Sequence, residues 1–114
     1  MVIKDREVMN YLGEIYRYST QDITITFDVT TTSWTDSIVT FSDKDGTKIF
    51  EIENADITKS GKTISFSLSQ TQTALLPEPY CLMMVNYTYT SGTKRNNSEI
   101  GYWNIYDNLH GEVI

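Results

Sequence analysis

Apolar and polar residues alternate along most of this chain with the two-residue period of a strand. From Asp22 to Val29, Ile23, Ile25, Phe27 and Val29 fall on one face, and Asp22, Thr24, Thr26 and Asp28 on the other. One dry face and one wet face predict a strand of an antiparallel sheet. Thr63 to Leu68 repeats the pattern, with Ile64, Phe66 and Leu68 on the core side. Ser37 to Ser42 is a further strand, with Val39 and Phe41 inward, and Trp34 before it folds back onto the core. Thr47 to Ile52 returns beside it, with either Ile49 or Phe50 inward. Asp45-Gly46 between them predicts a two-residue type I′ hairpin, because both positions tolerate positive φ.

Tyr80 to Thr90 is the longest predicted strand. It starts apolar on both faces, which places it centrally in a sheet, with Leu82 and Met84 assigned to the core. A turn at Ser91-Gly92 leads to a last strand, Glu99 to Tyr106, which carries Trp103 and Ile105. Ser69 is suited to cap a single helical turn over Gln70 to Leu75. Pro77 and Pro79 end it, since a proline pushes the residue before it out of the helical region.

The first residues are ambiguous. Val8, Leu12 and Ile15 have helical spacing, but Gly13 and the neighbouring tyrosines favour an extended segment. We read residues 1–17 as an N-terminal arm whose Glu14 to Tyr18 stretch can pair as an edge strand. Residues 18–107 form the folded domain and residues 108–114 a short tail. The sum is about seven short strands, with turn signals at roughly ten-residue spacing: an all-β, antiparallel sandwich. Its predicted core is Ile23, Ile25, Phe27, Val39, Phe41, Ile64, Phe66, Leu68, Leu82, Met84, Trp103 and Ile105.

Composition sharpens this picture. At 114 residues and 39% hydrophobic, the chain is one globular domain with a real core. A net charge of −6 argues against nucleic acid, because no counterion release drives phosphate binding. No apolar run approaches the roughly 18 residues of a membrane helix, so no membrane partner is expected. The opening residues lack the layout of a secretion signal, so synthesis in a cytosol is expected.

Candidate chemistry is sparse, and the expectation is a non-enzyme. Cys81 is the single cysteine and lies in an apolar strand, so it reads as a small buried hydrophobe. His110 is the single histidine and has no nucleophile motif to serve. Asp43 to Gly46 fails as a calcium loop, because the spacing puts Phe41 at the first ligand position. Asp22, Asp28, Asp36, Glu51 and Glu53 read as solvated groups rather than a catalytic pair. No cofactor and no metal is expected. Asn86-Tyr87-Thr88 and Asn96-Asn97-Ser98 match the glycosylation pattern, which carries little without secretion.

The tyrosines are the exception. They are too many for a core of this size, and exposed tyrosine marks contact surfaces. The candidate interaction residues are Tyr11, Leu12, Ile15, Tyr16, Tyr18, Tyr87, Tyr89 and Tyr102. A protein interface and a sugar-stacking platform are both open to them.

Asp22-Ile-Thr-Ile-Thr-Phe27, with Ile38-Val-Thr-Phe41 and Asp45-Gly46, resembles the opening of small immunoglobulin-like modules of tailed bacteriophages. Thr63-Ile-Ser-Phe-Ser-Leu-Ser69, then Gln70-Thr-Gln-Thr73 and Leu75-Leu-Pro-Glu-Pro-Tyr80, is similar to the same group. The likeness extends over Tyr18 to Tyr106 and points to the N-terminal domain of upper baseplate proteins and their small stand-alone relatives. The family's glycine before the tyrosine is Pro79 here. The resemblance implies a structural virion protein of the tail, baseplate or neck, or a capsid decoration protein. It further implies assembly inside a bacterial host, with other virion proteins and copies of itself as partners. The rival expectations are a carbohydrate-binding module and a binder of a host protein. On the virion expectation, residues Val8 to Tyr18 order mainly in the assembly, by adding a strand to a neighbour's sheet.

Overall fold

The computed structural model describes residues 10–89, 96–98 and 100–114. They form an immunoglobulin-like β-sandwich of two sheets. The strands are β1 (Asn10–Tyr16), β2 (Gln21–Thr26), β3 (Trp34–Ser42), β4 (Lys48–Glu53), β5 (Thr58–Ser60), β6 (Thr63–Leu68), β7 (Tyr80–Tyr89), β8 (Asn96–Asn97) and β9 (Gly101–Tyr106). A five-residue helical turn, α1 (Gln70–Ala74), separates β6 from β7. The large sheet runs β1-β9-β7-β3-β4, with β8 also on β7, and the small sheet runs β2-β6-β5. Phe41 of the large sheet and Phe66 of the small one meet edge to face, 6.3 Å between ring centres, at the middle of the core.

Several expectations change. Asn10 to Tyr16 is a strand of the chain's own large sheet, paired parallel with β9. Ile15 is fully buried under it. The edge strand expected from Glu14 forms, through Tyr16, but it begins at Asn10, so the arm assignment is corrected from Asn10 onward, because β1 buries core surface within its own subunit. The Val8 end of that assignment lies outside the described residues. Gly13 makes the close approach possible. Its φ is +145°, and a Cβ there would stand 3.0 Å from the Trp103 ring. The chain thus lays its backbone on the indole.

The face of β7 is also inverted. Cys81 pairs with Trp103 and Met83 with Gly101, so Cys81, Met83 and Val85 point into the core. Leu82 pairs with Tyr102 on the opposite face, and half-buried Met84 shares that face. Six apolar residues in succession carry no alternation, so pairing with β9 decides the phase. Ile25 and Phe27 are half-buried against the core rather than inside it. In β4, Phe50 pairs with Phe41, and Ile52 is buried. Strand β5 has no counterpart in the sequence-based expectation.

The β3–β4 turn also differs. Gly46 alone has positive φ, +87°, so the two-residue I′ turn is replaced by a wider one. Asp43 organises it: its Oδ1 accepts from the Asp45 and Thr47 backbone N–H groups, each at 2.9 Å. Its own N–H donates to the Thr47 carbonyl at 3.0 Å.

The helical turn forms as the sequence predicts. Ser69 Oγ accepts from the Gln72 N–H at 3.1 Å, and Gln72 Oε1 accepts from the Ser69 N–H at 2.9 Å. This reciprocal cap satisfies two donors that the helix start otherwise leaves free. Buried Thr73 then ties α1 to the β1–β2 turn, donating to the Ser19 carbonyl at 2.8 Å and accepting from the Ser19 N–H at 3.1 Å. Ser69→Ala should lower stability by about 1 kcal/mol. A urea titration reads it as a lower midpoint at unchanged slope; an unmoved midpoint would show that the cap contributes nothing.

Candidate interaction face

The strands of the large sheet place alternate side chains on a face turned away from the small sheet. Outward positions on β1 are Tyr11, Glu14 and Tyr16, the bulge between Tyr11 and Gly13 resetting the phase. On β9 they are Tyr102, Asn104 and Tyr106, and on β7 Tyr80, Leu82 and Met84. Register sorts them into rows. Tyr11 stands opposite Tyr102, which stands opposite Leu82. Glu14 stands opposite Asn104, which stands opposite Tyr80, and Tyr16 stands opposite Tyr106.

The rings follow the rows. Tyr11 and Tyr102 lie 5.4 Å apart at 47°, and Tyr16 and Tyr106 lie 5.4 Å apart at 31°. Tyr80 meets Tyr102 edge-on at 6.2 Å. Tyr11, Tyr16 and Tyr106 keep 52%, 50% and 40% of their surface in solvent, while Leu82 beneath the ridge keeps only 2%. Five tyrosines thus build a raised aromatic patch over an apolar floor. Desolvation by its neighbours, then the charge of Glu14, then Tyr106 and Tyr102, push the Tyr11 phenol up from its ordinary value.

The other sequence candidates lie elsewhere. Ile15 belongs to the core, and Leu12 packs against it from the edge. Tyr18 takes a left-handed backbone, φ +60°, in the β1–β2 turn, with the Arg17 guanidinium 5.2 Å from its ring centre. Tyr87 stacks on Trp34 at 4.0 Å and 10°, and Tyr89 meets Tyr87 edge-on at 5.7 Å. These last two are half-buried against the core, on the side of the large sheet that faces the small one. Tyr80 was missed because it adjoins the prolines and lies on a face assigned inward. Tyr106, counted among the excess tyrosines but not among the candidates, completes the lower pair.

Three of the acids have structural partners. Asp22 accepts from Ser67 Oγ at 2.6 Å, and Glu51 accepts from Thr40 Oγ1 at 3.0 Å and from Lys48 Nζ at 3.4 Å. Asp36 accepts from the Ser37 N–H at 2.9 Å. Exposed His110 in the tail donates its backbone N–H to Asn108 Oδ1 at 2.9 Å. Among the described residues, no group of three or more His, Cys, Asp or Glu side chains is placed to hold a metal ion. A cleft of about 500 Å³ opens between the sheets, and its described lining includes Leu12, Ile25, Phe27, Met83 and Val85. Asp28 is the single acid in that described lining.

Cys81 faces the core, and its burial pushes the thiol pKa up to about 12. The unfolded thiol ionises near pH ~8.5. Between those values the folded state holds a proton that the unfolded state has lost, so stability falls as pH rises through the window. Below it the thiol contributes nothing to pH dependence. Native protein at pH 8 should therefore react with a thiol reagent far more slowly than urea-unfolded protein. Equal rates would place Cys81 at the surface.

No protein-family model and no curated protein matches the chain. Among solved structures it is similar to Drosophila OTK, extracellular domains 3-5, at 13% identity and a TM-score of 0.39. That match covers 89% of this chain and 34% of the other, so the chain spans about a third of that structure's length.

Proposed function

We propose that this chain is a non-catalytic assembly module, and that its working surface is the tyrosine face of the large sheet. One observation carries this reading: Tyr11, Tyr16, Tyr80, Tyr102 and Tyr106 converge on one outer face, three of them widely exposed. Tyrosine presents a large, stiff, amphipathic contact area at low entropic cost, which is what a docking surface needs. The inclination of the rings supports a protein partner over a sugar. A pyranose stacks on a flat platform, whereas neighbouring rings here are inclined at 31°, 47° and 75°.

For the setting, we propose the one implied by the likeness of Tyr18 to Tyr106 to phage modules. The chain is then a structural component of a tailed-phage virion, in the tail, baseplate or neck or on the capsid, contacting other virion proteins and its own copies. Particles purified from the strain that encodes it test this by quantitative mass spectrometry. A fixed ratio to the major capsid protein is expected. Absence from particles would overturn the virion setting and favour a partner inside the host.

A further inference from the structure

Three adjacent strands, β1, β9 and β7, carry a single side chain that is charged at neutral pH. It is Glu14, and it lies in the middle of the tyrosine face. It points outward, exposed, in the row with Asn104 and Tyr80. The Tyr11–Tyr102 pair stands on one side of that row and the Tyr16–Tyr106 pair on the other. Among the described residues Glu14 has no ion-pair partner. Arg17, the cation that follows β1, is engaged elsewhere. Its guanidinium reaches Asp107 at 3.3 Å and the Ala74 carbonyl at 2.9 Å, and it packs on the Tyr18 ring.

A lone carboxylate between two aromatic pairs matches one chemistry well. A guanidinium is planar, hydrogen-bonds a carboxylate through two parallel N–H groups, and stacks on tyrosine rings. We infer that Glu14, flanked by the two tyrosine pairs, is the receptor for an arginine side chain of the docking partner. This rests on the tyrosine face being the docking surface. The plainer alternative is that Glu14 is a gatekeeper, a charge that keeps edge strand β1 from pairing with stray chains. The two differ on sign. A lysine guards an edge as well as a glutamate does, but it repels an arginine.

The test is a titration of the isotopically labelled full chain with N-acetyl-arginine amide, followed by NMR, with N-acetyl-norleucine amide as the uncharged comparison. Saturable shifts are expected at the amides of Glu14, Tyr102, Asn104 and Tyr106 with the arginine probe alone. Glu14→Gln should weaken the probe about threefold, the scale of an exposed ion pair, and Glu14→Lys should abolish the local shifts. Equal shifts at Glu51 and Asp56, or shifts that survive Glu14→Lys, would overturn the inference. Incorporation into particles separates this from the wider reading. If Glu14→Lys incorporates like the parent while a Tyr11→Ala/Tyr106→Ala chain does not, the arginine receptor fails and the docking face stands. If both incorporate like the parent, both fail.

Discussion

Replacing Ile15 with alanine should cost about 2–5 kcal/mol of stability, and removing residues 1–16 should abolish cooperative unfolding. Ile15 has no solvent exposure, and its truncation leaves a cavity in the core beneath the large sheet. Removing the whole strand does more. It strips β9 of its parallel partner and uncovers Trp103, against which the Gly13 backbone is laid. Urea unfolding followed by tryptophan fluorescence reads both changes. An arm that orders only on a neighbour could be removed without loss, so an unchanged unfolding curve after either change would restore the arm and undo β1 as a core strand.

The second large effect is expected at Trp34. Its ring stacks on Tyr87 at 4.0 Å, meets Phe27 edge-on at 5.2 Å, and is 4% exposed. Trp34→Ala should cost about 3–5 kcal/mol. Trp34→Phe should cost clearly less than Trp34→Ala, because the cavity it leaves is smaller. It keeps an aromatic in the stack and removes an indole N–H that is buried without a partner among the described residues. Thermal unfolding of the two variants checks the order. Equal losses would mean that the indole makes a hydrogen bond the geometry does not show.

Strands β2, β6 and β3 were legible because one face of each meets water and the alternation survives in the sequence. The α1 turn was legible from Ser69 and the two prolines, since capping chemistry is local. Strand β7 was located but its phase was not, because Tyr80 to Val85 is apolar on both faces and only its partner can choose between them. Strand β1 was obscured differently. Its outward tyrosines and its bulge break the period-two signal, and its pairing with β9 spans almost the whole chain. Strand β5 is three residues long and polar, held by its hairpin with β6 rather than by burial.

The candidate face followed the same division. An excess of tyrosine was visible in the composition; Tyr11 and Tyr16 are exposed, and half-buried Tyr102 lies on the same outer face. Tyr87 and Tyr89 are half-buried against the core on the other side of the sheet, and sequence gives no sign that Trp34 would lie flat against Tyr87. Glu14 drew no attention as one acid among fifteen Asp and Glu residues. Its isolation appears only when β1, β9 and β7 are placed side by side.

Hydroxyl-radical footprinting of the tyrosines, free and assembled, puts the docking face to the strictest test. In the free chain Tyr11, Tyr16 and Tyr106 should oxidise readily. In assembled particles these three should be protected together, while Tyr18 and Tyr87 keep their free-chain rates. Equal oxidation of Tyr11, Tyr16 and Tyr106 in both states would contradict a docking role for this face.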